Sequence, residues 1–292
     1  MQLLEFYSRW ASSYLLNFKP MFRIAPNPVS YCSLLLLSVL LTSSAFSQSI
    51  QPEWVIADEL QQPGIEGDIV HLTVENQDIL GIFQNTLHRR SYGAILLLHD
   101  AGGNPDSNNI IAPLRRNLPT RGWSSLAIQL PLLDEPDSSN SLNEYLTESV
   151  KRINKAMTFL NENNHLNIVI LGHGSGAIAA FKYAQGIKEE ETRGVISINL
   201  STTPGPANKE ILSIIGDIKI PVLDIYNRAF PQFRPKGINK RRAAVRFNRK
   251  WQFVAIDGGS HNFNGDELWL LERVFAWAMK TAPAMEINTQ SQ

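Results

Sequence analysis

Four apolar residues, Ile168-Val169-Ile170-Leu171, run straight into Gly172-His173-Gly174-Ser175-Gly176, and an alanine-rich helical stretch follows at once. A short continuous apolar run reads as a strand buried on both faces. A helix that starts within a few glycines of such a strand must fold straight back over the sheet. This unit confines the chain to the α/β class, with a mostly parallel sheet covered by helices. The turn has the layout of a nucleophile elbow, in which the residues two before and two after the apex have no room for a side chain. Centred on Ser175, those flanking positions are His173 and Ala177; centred on Gly174, they are Gly172 and Gly176. Only the second frame fits. The spacing therefore predicts Gly174 at the apex, at a strained positive φ, with Ser175 in the first turn of the helix.

The rest of the chain repeats the alternation of strand and helix. Residues 69–75 and 78–84 predict an opening antiparallel hairpin around Asn76-Gln77. Further strands are expected at 94–99, 125–130, 195–200, 221–226 and 251–256, giving about eight with the elbow strand. Helices are expected at 107–117, 142–160, 176–187 and 266–279. The second of these carries Leu142, Leu146, Val150, Ile153, Met157 and Leu160 on one stripe. Only the segments 201–220 and 227–250 leave room for small covering elements, so no large lid is expected.

The first 47 residues read as an export signal. An apolar core at 33–41 is too short for a comfortable membrane span, and Ala45-Phe46-Ser47 places small residues at minus three and minus one of a cut before Gln48. Lys19 and Arg23 form the basic part, and Met21 is a second candidate start. Residues 48–66 then form an N-terminal extension, 67–282 the main domain and 283–292 a flexible tail. The single cysteine, Cys32, lies inside the signal, so the mature chain has no thiol. That composition fits the oxidising bacterial periplasm. With a formal net charge of zero, the chain carries no basic excess of the kind that attracts nucleic acid.

Ligands in open α/β sheets bind at the carboxyl ends of the strands, and four loops fall there. After the strand at 94–99 comes Asp100-Ala101-Gly102-Gly103, a turn that can offer backbone N–H groups to an oxyanion or ligand. The elbow follows, with Gly172, His173, Gly174 and Gly176 shaping it and the Ser175 N–H as a second donor. A glycine at the apex cannot attack a carbonyl. The Ser175 hydroxyl reads first as a helix-start group and second as a displaced nucleophile. The third loop, Asn227-Arg228-Ala229-Phe230, lacks the carboxylate that would orient a histidine; Asp224 lies too early, inside the strand. The fourth holds Ser260-His261-Asn262-Phe263, where His261 suits a general base, and the alternative is a polar residue in an exposed loop. The remaining histidines show no metal-ligand spacing, so neither a metal nor another cofactor is expected.

Eight basic residues, among them Arg241, Arg242 and Arg246, crowd into 234–250 with no acid between them. The plain reading is a solvated helix. The sharper one is an exposed basic surface beside His261 that meets an anionic component of the cell envelope.

Together these residues resemble the α/β-hydrolase superfamily. Leu96-Leu97-Leu98-His99-Asp100-Ala101-Gly102-Gly103-Asn104-Pro105-Asp106, Leu118-Pro119-Thr120-Arg121-Gly122-Trp123, Gly172-His173-Gly174-Ser175-Gly176-Ala177 and Ser260-His261-Asn262-Phe263 resemble, more narrowly, a family of secreted proteobacterial proteins defined only as a domain of unknown function. The superfamily resemblance implies ester or amide hydrolysis by a Ser-His-acid triad. This chain departs from it at the nucleophile and at the acid. The expectation is an exported α/β-hydrolase-fold protein with a degenerate triad that binds a small-molecule or lipid-like ligand, or a partner, in the periplasm. Whether it is an enzyme stays open, the alternative being an active ester or lipid hydrolase using Ser175 and His261.

Overall fold

The apolar runs become the inner strands of one twisted sheet. The computed structural model of the chain describes residues 53–61, 64–108, 110–132, 139–200, 206–229, 235–257 and 263–283. The expected signal segment, Arg234 and His261 lie outside them. Among the described residues the strands are β1 (Asp68–Val74), β2 (Gln77–Gln84), β3 (Gly93–Leu98), β4 (Trp123–Ile128), β5 (Ile168–His173), β6 (Gly194–Ile198), β7 (Val222–Asn227) and β8 (Trp251–Ile256). Their order is β1-β2-β4-β3-β5-β6-β7-β8. β2 pairs antiparallel with both β1 and β4, and every other pairing is parallel.

The helices are α1 (Glu53–Leu60), α2 (Ile111–Asn117), α3 (Ser139–Glu162), α4 (Ser175–Ala184), α5 (Pro206–Gly216), α6 (Pro235–Ala244) and α7 (Glu267–Thr281). Strand side chains alternate between two apolar layers. Leu96, Leu98, Ile170 and Val195 pack with residues of α3, α4 and α5. Ile95, Leu97, Val169, Leu171 and Ile196 pack with residues of α2 and α7. Covering both faces is why β3 and the first four residues of β5 read as unbroken apolar runs rather than alternating ones.

Several expectations are corrected locally. The hairpin turns at Glu75-Asn76, one residue early, with Glu75 at φ 55 and Val74 opposite Gln77. The helix expected from 107 begins at Ile111, because the Ser107 hydroxyl donates to Asn104 O at 2.9 Å and accepts from Asn104 N–H at 2.7 Å, closing a turn instead. α1 falls inside the expected extension. Its Ile56 and Leu60 are buried with Leu80 and Ile82 of β2, which ties residues 53–60 to the domain.

The basic segment differs most. Arg241 is fully buried and ion-paired with Asp224 of β7, itself fully buried. The compensating acid comes from the sheet, 17 residues away in sequence, so a local charge count could not find it. The course of the segment also differs. α6 carries the chain from the carboxyl end of β7 back to the amino end of β8. There Asn248 Nδ2 donates to Ile218 O and Ile220 O at 3.1 and 2.9 Å, and Lys250 pairs with Glu189. Arg246 to Lys250 thus lie at the sheet edge opposite the elbow, not beside it.

Candidate functional site

Gly174 stands at φ 54 and ψ −116, the N-cap of α4, and Ser175 is the first residue of that helix. The strain falls on a residue that tolerates it. Gly172 and Gly176 are required by close approach: a Cβ on Gly172 would run into the Ala177 backbone, and one on Gly176 into the carbonyls of Leu98 and His99. The turn is built as an elbow with the apex side chain left out.

Asp100 takes the vacated place. A Cβ built on Gly174 would fall inside the Asp100 carboxyl group. Asp100 Oδ1 accepts the Ser175 N–H at 2.7 Å and the Ala101 N–H at 2.8 Å. One donor follows the elbow apex and the other lies in the loop after β3, the two sources from which this fold draws an oxyanion hole. An internal carboxylate oxygen therefore holds both donors. The sequence reading treated Asp100 only as part of a loop offering N–H groups; the missing side chain at 174 was the signal that a neighbour could enter.

The loop after β3 is fixed from several sides. The Asp100 carbonyl accepts from Gly103 N–H at 3.0 Å and from His99 Nδ1 at 2.8 Å. His99 Nε2 accepts the Leu130 N–H at 3.0 Å, so the ring is a neutral bridge between the ends of β3 and β4. Burial lowers its pKa to about 4, against the opposing pull of Asp100. Further along, Asp106 pairs with the fully buried Arg115 at 2.5 Å and with Arg116 at 2.8 Å, anchoring the loop to α2. Gly102 and Gly103 lie in the turn between these anchors.

Ser175 is 4% exposed, and its Oγ lies 3.4 Å from the buried Tyr145 hydroxyl. Burial pushes the Tyr145 ionisation up, and the Asp100 charge adds to that. Tyr145, Ser149 and Arg152 break the apolar stripe of α3 at helical spacing, all on its buried side. That polar interruption was readable in the sequence but was not assigned. Arg152, 2% exposed, donates to Gln129 O at 3.3 Å and pairs with Glu148 at 3.2 Å and with Glu53 of α1 at 3.1 Å.

At the end of β7, where an orienting acid would sit, Asn227 is buried and its N–H donates to Asn199 Oδ1 at 3.1 Å. Arg228 pairs with Asp257, so that carboxylate is engaged at the surface. His173 is buried at the end of β5. Among the described residues no group of three His, Cys, Asp or Glu side chains could hold a metal ion. The structure brings Asp100, Ala101, Gly174, Ser175 and Tyr145 together. It places Arg242 and Arg246 elsewhere.

Solved structures of similar fold are esterases and hydrolase relatives. The esterase Pf2001 of Pyrococcus furiosus superposes with a TM-score of 0.60 at 13% identity, covering 74% of this chain and 91% of that one. A cold-adapted esterase from an Arctic intertidal metagenomic library gives 0.59 at 12%, covering 71% and 92%. An α-β serine hydrolase homologue from Coxiella burnetii gives 0.57 at 12%, covering 74% and 99%. At these identities the likeness concerns the fold. No curated protein sequence matches the chain. The family described as "Protein of unknown function (DUF3530)" matches over residues 47–149 and 133–280. With that match spanning most of its length, the chain belongs to the DUF3530 family, and its eight-stranded sheet has the strand order of the α/β-hydrolase fold.

Proposed function

We propose that this protein is an exported α/β-hydrolase-fold protein whose ester-hydrolysing centre is closed from within, and that it binds a small-molecule or lipid-like ligand, or a partner, in the periplasm. The observation that carries the reading is Asp100 Oδ1 seated between the N–H groups of Ser175 and Ala101. An oxyanion hole works by receiving charge that develops on the substrate in the transition state. Here a negative oxygen already occupies the donors, and it would repel a second. Losing one hole donor typically costs about 10²–10³ in turnover. Losing a serine nucleophile costs on the order of a million-fold. Both losses coincide at one elbow.

The alternative, Ser175 acting with His261, gains nothing from the Tyr145 contact. A phenol whose ionisation is pushed up by burial does not take the proton of a serine. Export is supported by the apolar core at 33–41 with its small-residue cut site, and by the absence of cysteine after residue 47. The test is hydrolysis of p-nitrophenyl acetate and butyrate by protein recovered from a periplasmic extract, its N-terminus sequenced. The expected results are a chain starting at Gln48 and a rate near that of buffer, unchanged in Ser175→Ala. A rate well above buffer that collapses in Ser175→Ala would establish the active hydrolase instead. A mature chain starting at Met1 or Met21 would remove export.

A further inference from the structure

The turn after α6 carries a feature that the site does not use. Phe247 is 77% exposed, the most exposed large hydrophobic side chain among the described residues. Its backbone is held firmly. Val245 beside it is buried, and Val245 N–H donates to Arg241 O at 3.0 Å. Asn248 N–H donates to Val245 O at 2.9 Å, and the Asn248 side chain is bonded to two carbonyls of the preceding segment. An aromatic ring held out to water on an anchored turn, with cations beside it, is available to a partner surface. Around it stand exposed cations. Arg246 lies 4.6 Å over the Phe247 ring, Arg242 is one turn back on α6 with its guanidinium 5.3 Å over the Phe253 ring, and Lys240 and Arg249 are exposed near them along the chain. From Lys240 to Lys250 there is no acidic residue. The nearby 186–191 loop carries Glu189, Glu190 and Glu191, and Glu189 is paired with Lys250 at the end of the basic segment.

We propose that this face docks on an anionic phospholipid bilayer, with Phe247 entering the headgroup–acyl boundary and Arg242, Arg246 and Arg249 meeting lipid phosphates. One exposed ring ringed by arginines matches the layered chemistry of such a surface: apolar at depth, anionic above it. A soluble polyanion would use the charges but leave the ring without a partner. The geometry also sets an orientation. The docking turn lies at the amino edge of the sheet, so the elbow and Asp100, at the carboxyl edge, point away from the bilayer.

The proposal is tested by vesicle co-sedimentation of the protein as purified from cells, at low and high salt. The vesicles are phosphatidylcholine alone, or phosphatidylcholine with about one-third phosphatidylglycerol. Each basic residue near an anionic surface is worth about fivefold in partitioning. Arg242→Glu with Arg246→Glu should therefore lower binding to anionic vesicles by well over tenfold. Phe247→Ser should lower it severalfold, and added salt should lower the wild type. Soluble glycerol phosphate should not compete at millimolar levels. All three residues are exposed, so the variants should keep the wild-type melting temperature, which excludes misfolding as the cause. Any partitioning by the apolar segment at 33–41 is common to all variants and to both vesicles. Equal wild-type binding to neutral and anionic vesicles, binding unaffected by either variant, or full competition by glycerol phosphate would each overturn the proposal.

Discussion

Replacing Arg241 by Met should be among the most damaging single changes outside the site. Both members of the Asp224–Arg241 pair are fully buried. Asp224 Oδ1 has no hydrogen-bond partner among the described residues, so the carboxylate rests on Arg241 through Oδ2. Removing the guanidinium strands a charge beside Ser197 and Phe253, its neighbours in the sheet. Breaking a buried pair from one side typically costs about 3–5 kcal/mol. The lost bond to Leu200 O, long at 3.4 Å, adds little. Against a domain stability of about 5–15 kcal/mol, that is at least about a fifth of the margin. The double variant Asp224→Leu, Arg241→Met removes both charges and should return to within about 1 kcal/mol of wild type, or exceed it. Urea unfolding followed by tryptophan fluorescence measures all four corners of the cycle. If Arg241→Met costs under about 1 kcal/mol, or the double variant costs as much as the single, the pair does not hold α6 as argued.

Two other outcomes follow from the elbow and its support. His99 has its folded pKa lowered to about 4 from 6.5, so between these values the unfolded chain binds more protons. Stability should therefore fall as the pH drops from about 6.5 to about 4, by roughly 3 kcal/mol from this residue, and His99→Asn should flatten that part of the urea midpoint against pH; an unchanged slope would show that His99 does not stay neutral. Gly174→Ala should cost more than the ~1–3 kcal/mol of backbone strain alone, because the new methyl meets the Asp100 carboxyl group, and the excess should vanish in an Asp100→Gly background. Equal thermal shifts in both backgrounds would contradict the placement of Asp100.

Architecture was legible because it is written in local patterns. The apolar runs of β3 and β5 and the stripe of α3 each report burial through residues close in sequence. The glycine at the apex was legible for the same reason, since Gly172 and Gly176 fix the frame of the turn. What escaped was pairing across space. Nothing near Arg241 announces Asp224, and nothing near Gly174 announces the carboxylate of Asp100, 74 positions earlier by chain numbering. For α6 the helix was readable but its buried face was not: the helix is polar on most faces, and Arg241 reads locally as surface. In the loop after β3 the sequence pointed to backbone N–H groups, and the structure shows the Asp100 side chain bonded to the N–H groups of Ala101 and Ser175.

Glu53 gives the segment ahead of β1 a structural duty. Arg152 lies buried beneath the loop after β4 and draws part of its compensation from that glutamate, the first residue of α1. An N-terminus trimmed by proteases as far as Glu53 would still leave the sheet intact but would strip a buried cation of one of its two carboxylates. Cuts that stop short of Glu53 leave the ion pair in place, and one that removes it weakens the ground under the elbow.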